Sequence, residues 1–239
     1  MKVQLFIPCF VDQLYPETGM NMVKVLEKVG CTVTYNPKQT CCGQPGYNAG
    51  YGDEAKVVGK KFLNDMNGEG FIVAPSGSCV GYVRNYYEKL FENSSEHNLS
   101  NRVSGNIYEF TEFLTKILNV EHLGAKLSGK ATYHDACGAL RECGIKEGPR
   151  KLLQNVKGLD LLEMKESETC CGFGGTFSVK FEPISIGMAQ TKVMSALETG
   201  AQYMISTDVS CMMHLQGYID QYNYPIKTMH IADVLASGW

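Results

Sequence analysis

The sequence predicts an α/β protein made of two tandem, internally repeated halves with mainly parallel sheets. Three observations carry that prediction. Apolar runs of strand length alternate with segments of helical spacing, the pattern of parallel sheets joined by right-handed crossovers. One arrangement of cysteines occurs twice: Cys9, a gap of 31 residues, Cys41-Cys42, a gap of 36 that opens with Gly43, and Cys79, against Cys137, a gap of 32, Cys170-Cys171, a gap of 39 that opens with Gly172, and Cys211. The flanks agree as well, FIVAPSGSC with YMISTDVSC, and each half closes on a related segment, IYEFTEFL or MHIADVLA.

In the first half VQLFIP is the opening strand, and Glu17 to Val29 carries helical spacing that stops at Gly30. TVTY, rich in β-branched residues, is the second strand. Asp53 to Asn67 is helical, FIVA is a buried strand, and GYVRNYYEKLF is a further helix. The polar run ENSSEHNLSNR reads as a solvated loop. Apolar periodicity is lost across EHLGAKLSGK, so the halves join near Glu121 to Gly129, giving domains 1–124 and 125–239. The second half repeats the order with KATYH, a helix from Pro149 to Val156, DLLEM, a helix from Ile184 to Leu197, YMIS, and a helix near Met212 to Tyr222.

Placed on this scaffold, Cys9 follows the first strand, Cys41 and Cys42 lie in the loop after the second, and Cys79 sits just past the third. The carboxyl ends of parallel strands lie along one edge of a sheet, where ligands bind. Four thiols from distant segments can therefore meet, and Cys137, Cys170, Cys171 and Cys211 have the same opportunity. Glycine after each pair allows close backbone approach or a positive φ.

A net charge of -3 and a pI near 6.0 supply no polybasic field, which argues against a nucleic-acid partner. Pro8 and Asp12 interrupt the apolar N-terminal run, which reads as a strand and not a leader. No window approaches the roughly 18 apolar residues of a membrane span, so a cytoplasmic location is expected. Ten cysteines in that compartment point to ligands or redox groups and away from a disulfide framework. Soft thiolates select zinc, copper(I) or iron-sulfur clusters. Four per half match a 4Fe-4S cluster. Structural zinc, usually held by Cys-x2-4-Cys knuckles, and vicinal disulfides remain alternatives, the first as a zinc-stapled scaffold and the second as a thiol-disulfide oxidoreductase. Cys31 reads as a packed core thiol and Cys143 as a spare ligand near Cys137.

The order, spacing and glycines of both copies resemble the cysteine-rich CCG domain found in heterodisulfide reductase and in the iron-sulfur component of glycolate oxidase. The resemblance covers nearly the whole chain. It implies two tandem CCG domains whose eight repeated cysteines hold one or two 4Fe-4S clusters. It also implies electron transfer within a cytoplasmic complex that oxidises L-lactate to pyruvate, as an oxidoreductase subunit using a quinone or other non-NAD acceptor. Two positions depart from the family's Cys-x-x-Cys element: Ser76 precedes Cys79 and Asp208 precedes Cys211, so each half has four cysteines in place of five and Asp208 becomes a candidate oxygen ligand. A ferredoxin-like Cys-x2-Cys-x2-Cys-x3-Cys run is also missing, so companion subunits, one carrying ferredoxin-type clusters, are expected. GFGGTF follows a cysteine pair and does not open a helix after a strand, which argues against a dinucleotide site. His134, Asp135 and Arg141 flank Cys137. They are candidates for acid-base work or carboxylate binding, with hydrogen-bonding support of the cluster as the simpler reading. The remaining histidines read as surface or core residues.

Overall fold

Each half builds a four-stranded, wholly parallel sheet in the computed structural model, which describes residues 1 to 239. Strands β1 (Lys2–Leu5), β2 (Thr32–Tyr35), β3 (Phe71–Ala74) and β4 (Ile107–Glu109) lie in the order β2-β1-β3-β4. Strands β5 (Lys126–Tyr133), β6 (Lys157–Leu161), β7 (Tyr203–Ser206) and β8 (Lys227–His230) repeat it as β6-β5-β7-β8. The chain steps outward from the first strand of each half and then crosses back to its other side. The carboxyl ends of β1 and β3, and of β5 and β7, therefore flank a switch point, where open parallel sheets bind ligands.

The first sheet is connected through α1 (Cys9–Leu14), α2 (Pro16–Lys28), α3 (Gln44–Asn48), α4 (Gly52–Asp65), α5 (Gly77–Leu90), α6 (His97–Ser104) and α7 (Phe110–Glu112), which continues as a π turn over Phe113–Ile117. The second half has a π turn at Gly138–Glu142, then α8 (Glu147–Gln154), α9 (Phe177–Lys180), α10 (Glu182–Leu197), α11 (Val209–Gln221) and α12 (Ile231–Leu235). Local chemistry explains the termini that matter. Pro16 opens α2, where its missing N–H costs nothing. The Ser76 hydroxyl accepts the Cys79 N–H at 3.4 Å and starts α5.

A central cluster of 22 buried residues joins the two sheets, drawing Val3, Met22 and Phe113 from the first half and Tyr133, Leu152 and Val234 from the second. The closing helices bridge the halves: α12 packs on α2 as well as on α8 of its own half, and α7 packs on α8. Asp233 fixes the first of these contacts by accepting Thr18 Oγ1 at 3.0 Å and Asn21 Nδ2 at 2.9 Å. The outer face of each sheet has its own cluster, around Phe62 and Tyr87 in one half and around Val193 and Leu215 in the other.

Three local expectations are corrected. The polar run at 92–102 is not all loop, because α6 begins at His97; Ser104 Oγ donates to the Val83 carbonyl at 2.8 Å, and Val103 supplies the buried contact. Lys126 to Gly129 is the start of β5, because pairing with β6 supplies the order that its mixed composition does not advertise. α5 starts at Gly77, ahead of GYVRNYYEKLF, so Cys79 lies in its first turn.

Candidate metal centre

All eight repeated cysteines line one cavity of about 470 Å³ between the two halves. Cys9 and Cys79 stand on the first turns of α1 and α5, and Cys211 on the first turn of α11. The vicinal pairs lie in the loops before α3 and α9, each followed by a glycine with positive φ, 93° at Gly43 and 95° at Gly172. A side chain there would strike the Ala55 carbonyl at 3.0 Å or the Ser185 carbonyl at 2.6 Å. These glycines let the cysteine loops press against α4 and α10.

Within each half the thiols form a chain of contacts, Cys9 to Cys41 to Cys42 to Cys79 and Cys137 to Cys170 to Cys171 to Cys211. Hydrogen bonds from Cys42 and Cys9 hold the Cys41 thiol down to about 3, and those from Cys137 and Cys171 hold Cys170 down to about 2. Their neighbours Cys9, Cys42, Cys137 and Cys171 are pushed up, because each donates to the sulfur that bears the charge. Backbone amides add support: Gly43 N–H donates to Cys41 Sγ at 3.3 Å, Gly172 N–H to Cys170 Sγ at 3.5 Å and Phe173 N–H to Cys171 Sγ at 3.5 Å. Two sets of four soft donors, with amide support in each, fit thiophilic metal chemistry.

The halves meet most closely beside this cavity. A Cβ on Gly77 would lie 2.4 Å from Ala139 Cβ, and one on Gly138 would lie 2.5 Å from Ser78 Cα, so glycine permits α5 to touch the 138–142 turn. Asp208, buried, accepts Ser78 N–H at 2.9 Å, Ser76 Oγ at 3.4 Å and Ser210 Oγ at 2.7 Å. It lines the cavity while its carboxylate is engaged in holding the N-terminus of α5 across the two halves.

Other candidates separate. Cys143 is outside the cavity lining, and its thiol donates to the Gly77 carbonyl at 3.6 Å. Cys31 belongs to the central core. Arg141 is exposed on the 138–142 turn and does not line the cavity. Asp135 is buried in a bidentate pair with Arg150, at 2.8 and 2.7 Å, a partner the sequence did not disclose. His134 is fully buried, and its imidazole lies with the Cys171 and Cys211 thiols in a group whose ligand atoms are all within 4.8 Å of one another. Burial and the nearby Lys192 push His134 down to about 3, so the ring is neutral.

Lys192 itself escaped the sequence reading. It is fully buried on α10 and donates to the carbonyls of Glu166 and Ser167, the latter at 3.0 Å. The signal was present: Ala189, Lys192, Val193 and Ala196 share the helix's buried face at i, i+3, i+4 and i+7.

Two parallel α/β halves joined across a cysteine-lined cavity define a tandem cysteine-rich domain protein. The chain belongs to the CCG cysteine-rich domain family, whose model matches residues 3–84 and 131–216. It is 45% identical over 236 residues to lactate utilization protein A 1 of Bacillus mycoides, covering 98% of this chain and 96% of that protein. It is 43% identical to lactate utilization protein A of Geobacillus kaustophilus, covering 98% of each. Among solved structures, a hypothetical protein from Helicobacter pylori shares the fold with a TM-score of 0.62 at 11% identity, over 98% of this chain and 48% of that one.

Proposed function

We propose that this chain is the iron-sulfur, electron-transfer subunit of a cytoplasmic multi-protein complex that oxidises L-lactate to pyruvate. The observation that carries the reading is the convergence of two thiol quartets on one cavity. Cys9, Cys41, Cys42 and Cys79 would hold one 4Fe-4S cluster in the segment 1–124. Cys137, Cys170, Cys171 and Cys211 would hold the other in 125–239. Such clusters, when bound, take up and release single electrons. Lactate oxidation yields two electrons and two protons, and two centres on one cavity match that number. The substrate comes from the names of the relatives.

Electrons would enter and leave through companion subunits, one with ferredoxin-type clusters, toward a quinone or other non-NAD acceptor.

Anaerobic purification with iron, sulfide and zinc analysis tests the reading. About four irons and four sulfides per filled quartet, with visible absorption, are expected. Cys41→Ser should remove the iron of the first half. Zinc without iron would make the chain a scaffold, and unchanged iron in the variant would sink the ligand assignment.

A further inference from the structure

The two halves of the repeat differ beside their cysteines. Counting back three residues from Cys9 and Cys137 pairs Phe6 with His134. Gly43 faces Ala55 and Val58 of α4 while Gly172 faces Ser185 and Met188 of α10, which sets the helix register and pairs Phe62 with Lys192. In the first half Phe6 and Phe62 form an edge-to-face pair with ring centroids 4.7 Å apart, an apolar floor under the quartet. The same two places in the second half hold a buried imidazole and a buried amine.

The amine is satisfied and the imidazole is not. The Ser167 carbonyl beside the ring already accepts Asp135 N–H at 3.0 Å and Lys192 Nζ at 3.0 Å, which engages both of its lone pairs. Neither ring nitrogen of His134 has a hydrogen-bond partner. A fully buried imidazole with both nitrogens orphaned is costly, and such groups are rare in folded proteins without a functional cause. The group its nitrogen does approach is the pair of thiols Cys171 and Cys211, the only trio of candidate ligand atoms in the chain within 4.8 Å of one another. Neutral imidazole and thiolate are compatible donors to the same metals.

We propose that His134 supplies a nitrogen ligand to the metal centre of the second quartet, making that centre chemically distinct from the all-sulfur first centre. The inference rests on the cluster-binding reading above. Cys171 and Cys211 place the metal beside the ring, and His134 adds a fifth donor to a half whose Cys-x-x-Cys element has Asp208 in place of its first cysteine. In the first half Phe6 offers no donor, so the first quartet binds through sulfur alone.

The test uses the full-length chain, reconstituted anaerobically, with iron and sulfide measured on the same sample. Pulsed electron paramagnetic resonance of the reduced protein should show the strong nitrogen coupling of a directly bound imidazole, altered when the histidines are labelled with 15N. His134→Phe, which reproduces the first half's residue, should abolish that coupling while the iron of the first half is retained. The wild-type labelling result stands without the variant should the variant misfold. Iron-loaded protein without such coupling, coupling that persists in His134→Phe, or a second quartet that stays iron-free while the first fills would overturn the ligand and leave the first centre in place. Protein that binds no iron in either quartet would overturn the proposed function as well.

Discussion

Glu109, at the end of the first sheet, accepts the hydroxyl of Thr207 from the second half. The repeat places His230 where Glu109 stands, and His230 reaches back the other way, its Nε2 donating to the Pro75 carbonyl at 3.2 Å while Nδ1 accepts Ala232 N–H. Each half thus ends its last strand with a side chain that caps its closing helix and ties it to the other half.

Glu109 gives this tie a pH dependence. Burial pushes its carboxyl up to about 7, against hydrogen bonds that favour the anion. Between the unfolded value near 4.5 and that figure the folded chain holds a proton the unfolded chain has released. Stability therefore falls as pH rises through this window and levels off above it. Glu109→Gln should remove the slope, so its advantage over the wild type should grow from pH 5 to pH 7 toward about 3 kcal/mol at most. Parallel denaturant titrations at several pH values measure the difference.

Arg150 neutralises a carboxylate that has no exposure to water, donating to both oxygens of Asp135. Arg150→Met should destabilise the protein by about 3–5 kcal/mol, because it strands a buried charge. The double variant with Asp135→Leu should recover most of that loss. If Arg150→Met alone is neutral in urea unfolding, the pair does not contribute to holding the fold.

Glycine at the contact between halves is a packing requirement. Gly77→Ala sets a methyl 2.4 Å from Ala139 Cβ and should cost about 1–3 kcal/mol through displacement of α5. Gly187, exposed within α10 with open space around it, is the control. Gly187→Ala should stabilise by about 0.5–1 kcal/mol. Thermal unfolding of the two variants should move in opposite directions.

Lys192 places a buried positive charge beside Cys171 and Cys211. Lys192→Met should lower the reduction potential of one centre and leave the other unchanged, since the Phe62 position in the first half is already apolar. Anaerobic potentiometric titration followed in the visible region distinguishes this from a uniform shift or none.

Much of this arrangement was legible in the sequence. TVTY, FIVA and YMIS are strands at the residues read, because short β-branched or apolar runs between turn residues leave few alternatives. The cysteines were legible because they recur. Helix α6 was not, since it docks through serines with only Leu99 and Val103 as apolar contacts. Lys126 to Gly129 was hidden for a related reason: its order comes from a neighbouring strand far away in sequence. Lys192 looked ordinary, and His134, a candidate beside Cys137, gave no sign in the sequence of a buried ring without partners. Their meaning appears only when the fold lays them over Phe6 and Phe62.

The bridging closing helices give the chain the geometry of a two-fold symmetric dimer whose protomers are fused end to end. A fragment carrying one half alone would leave the bridging face of its closing helix and the helix that face covers without partners, and a second copy of itself has both. In a self-paired dimer every feature of one side must recur on the other. Fusion lifts that constraint, and the chain uses the freedom to keep phenylalanine under one set of thiols while placing histidine and lysine under the other.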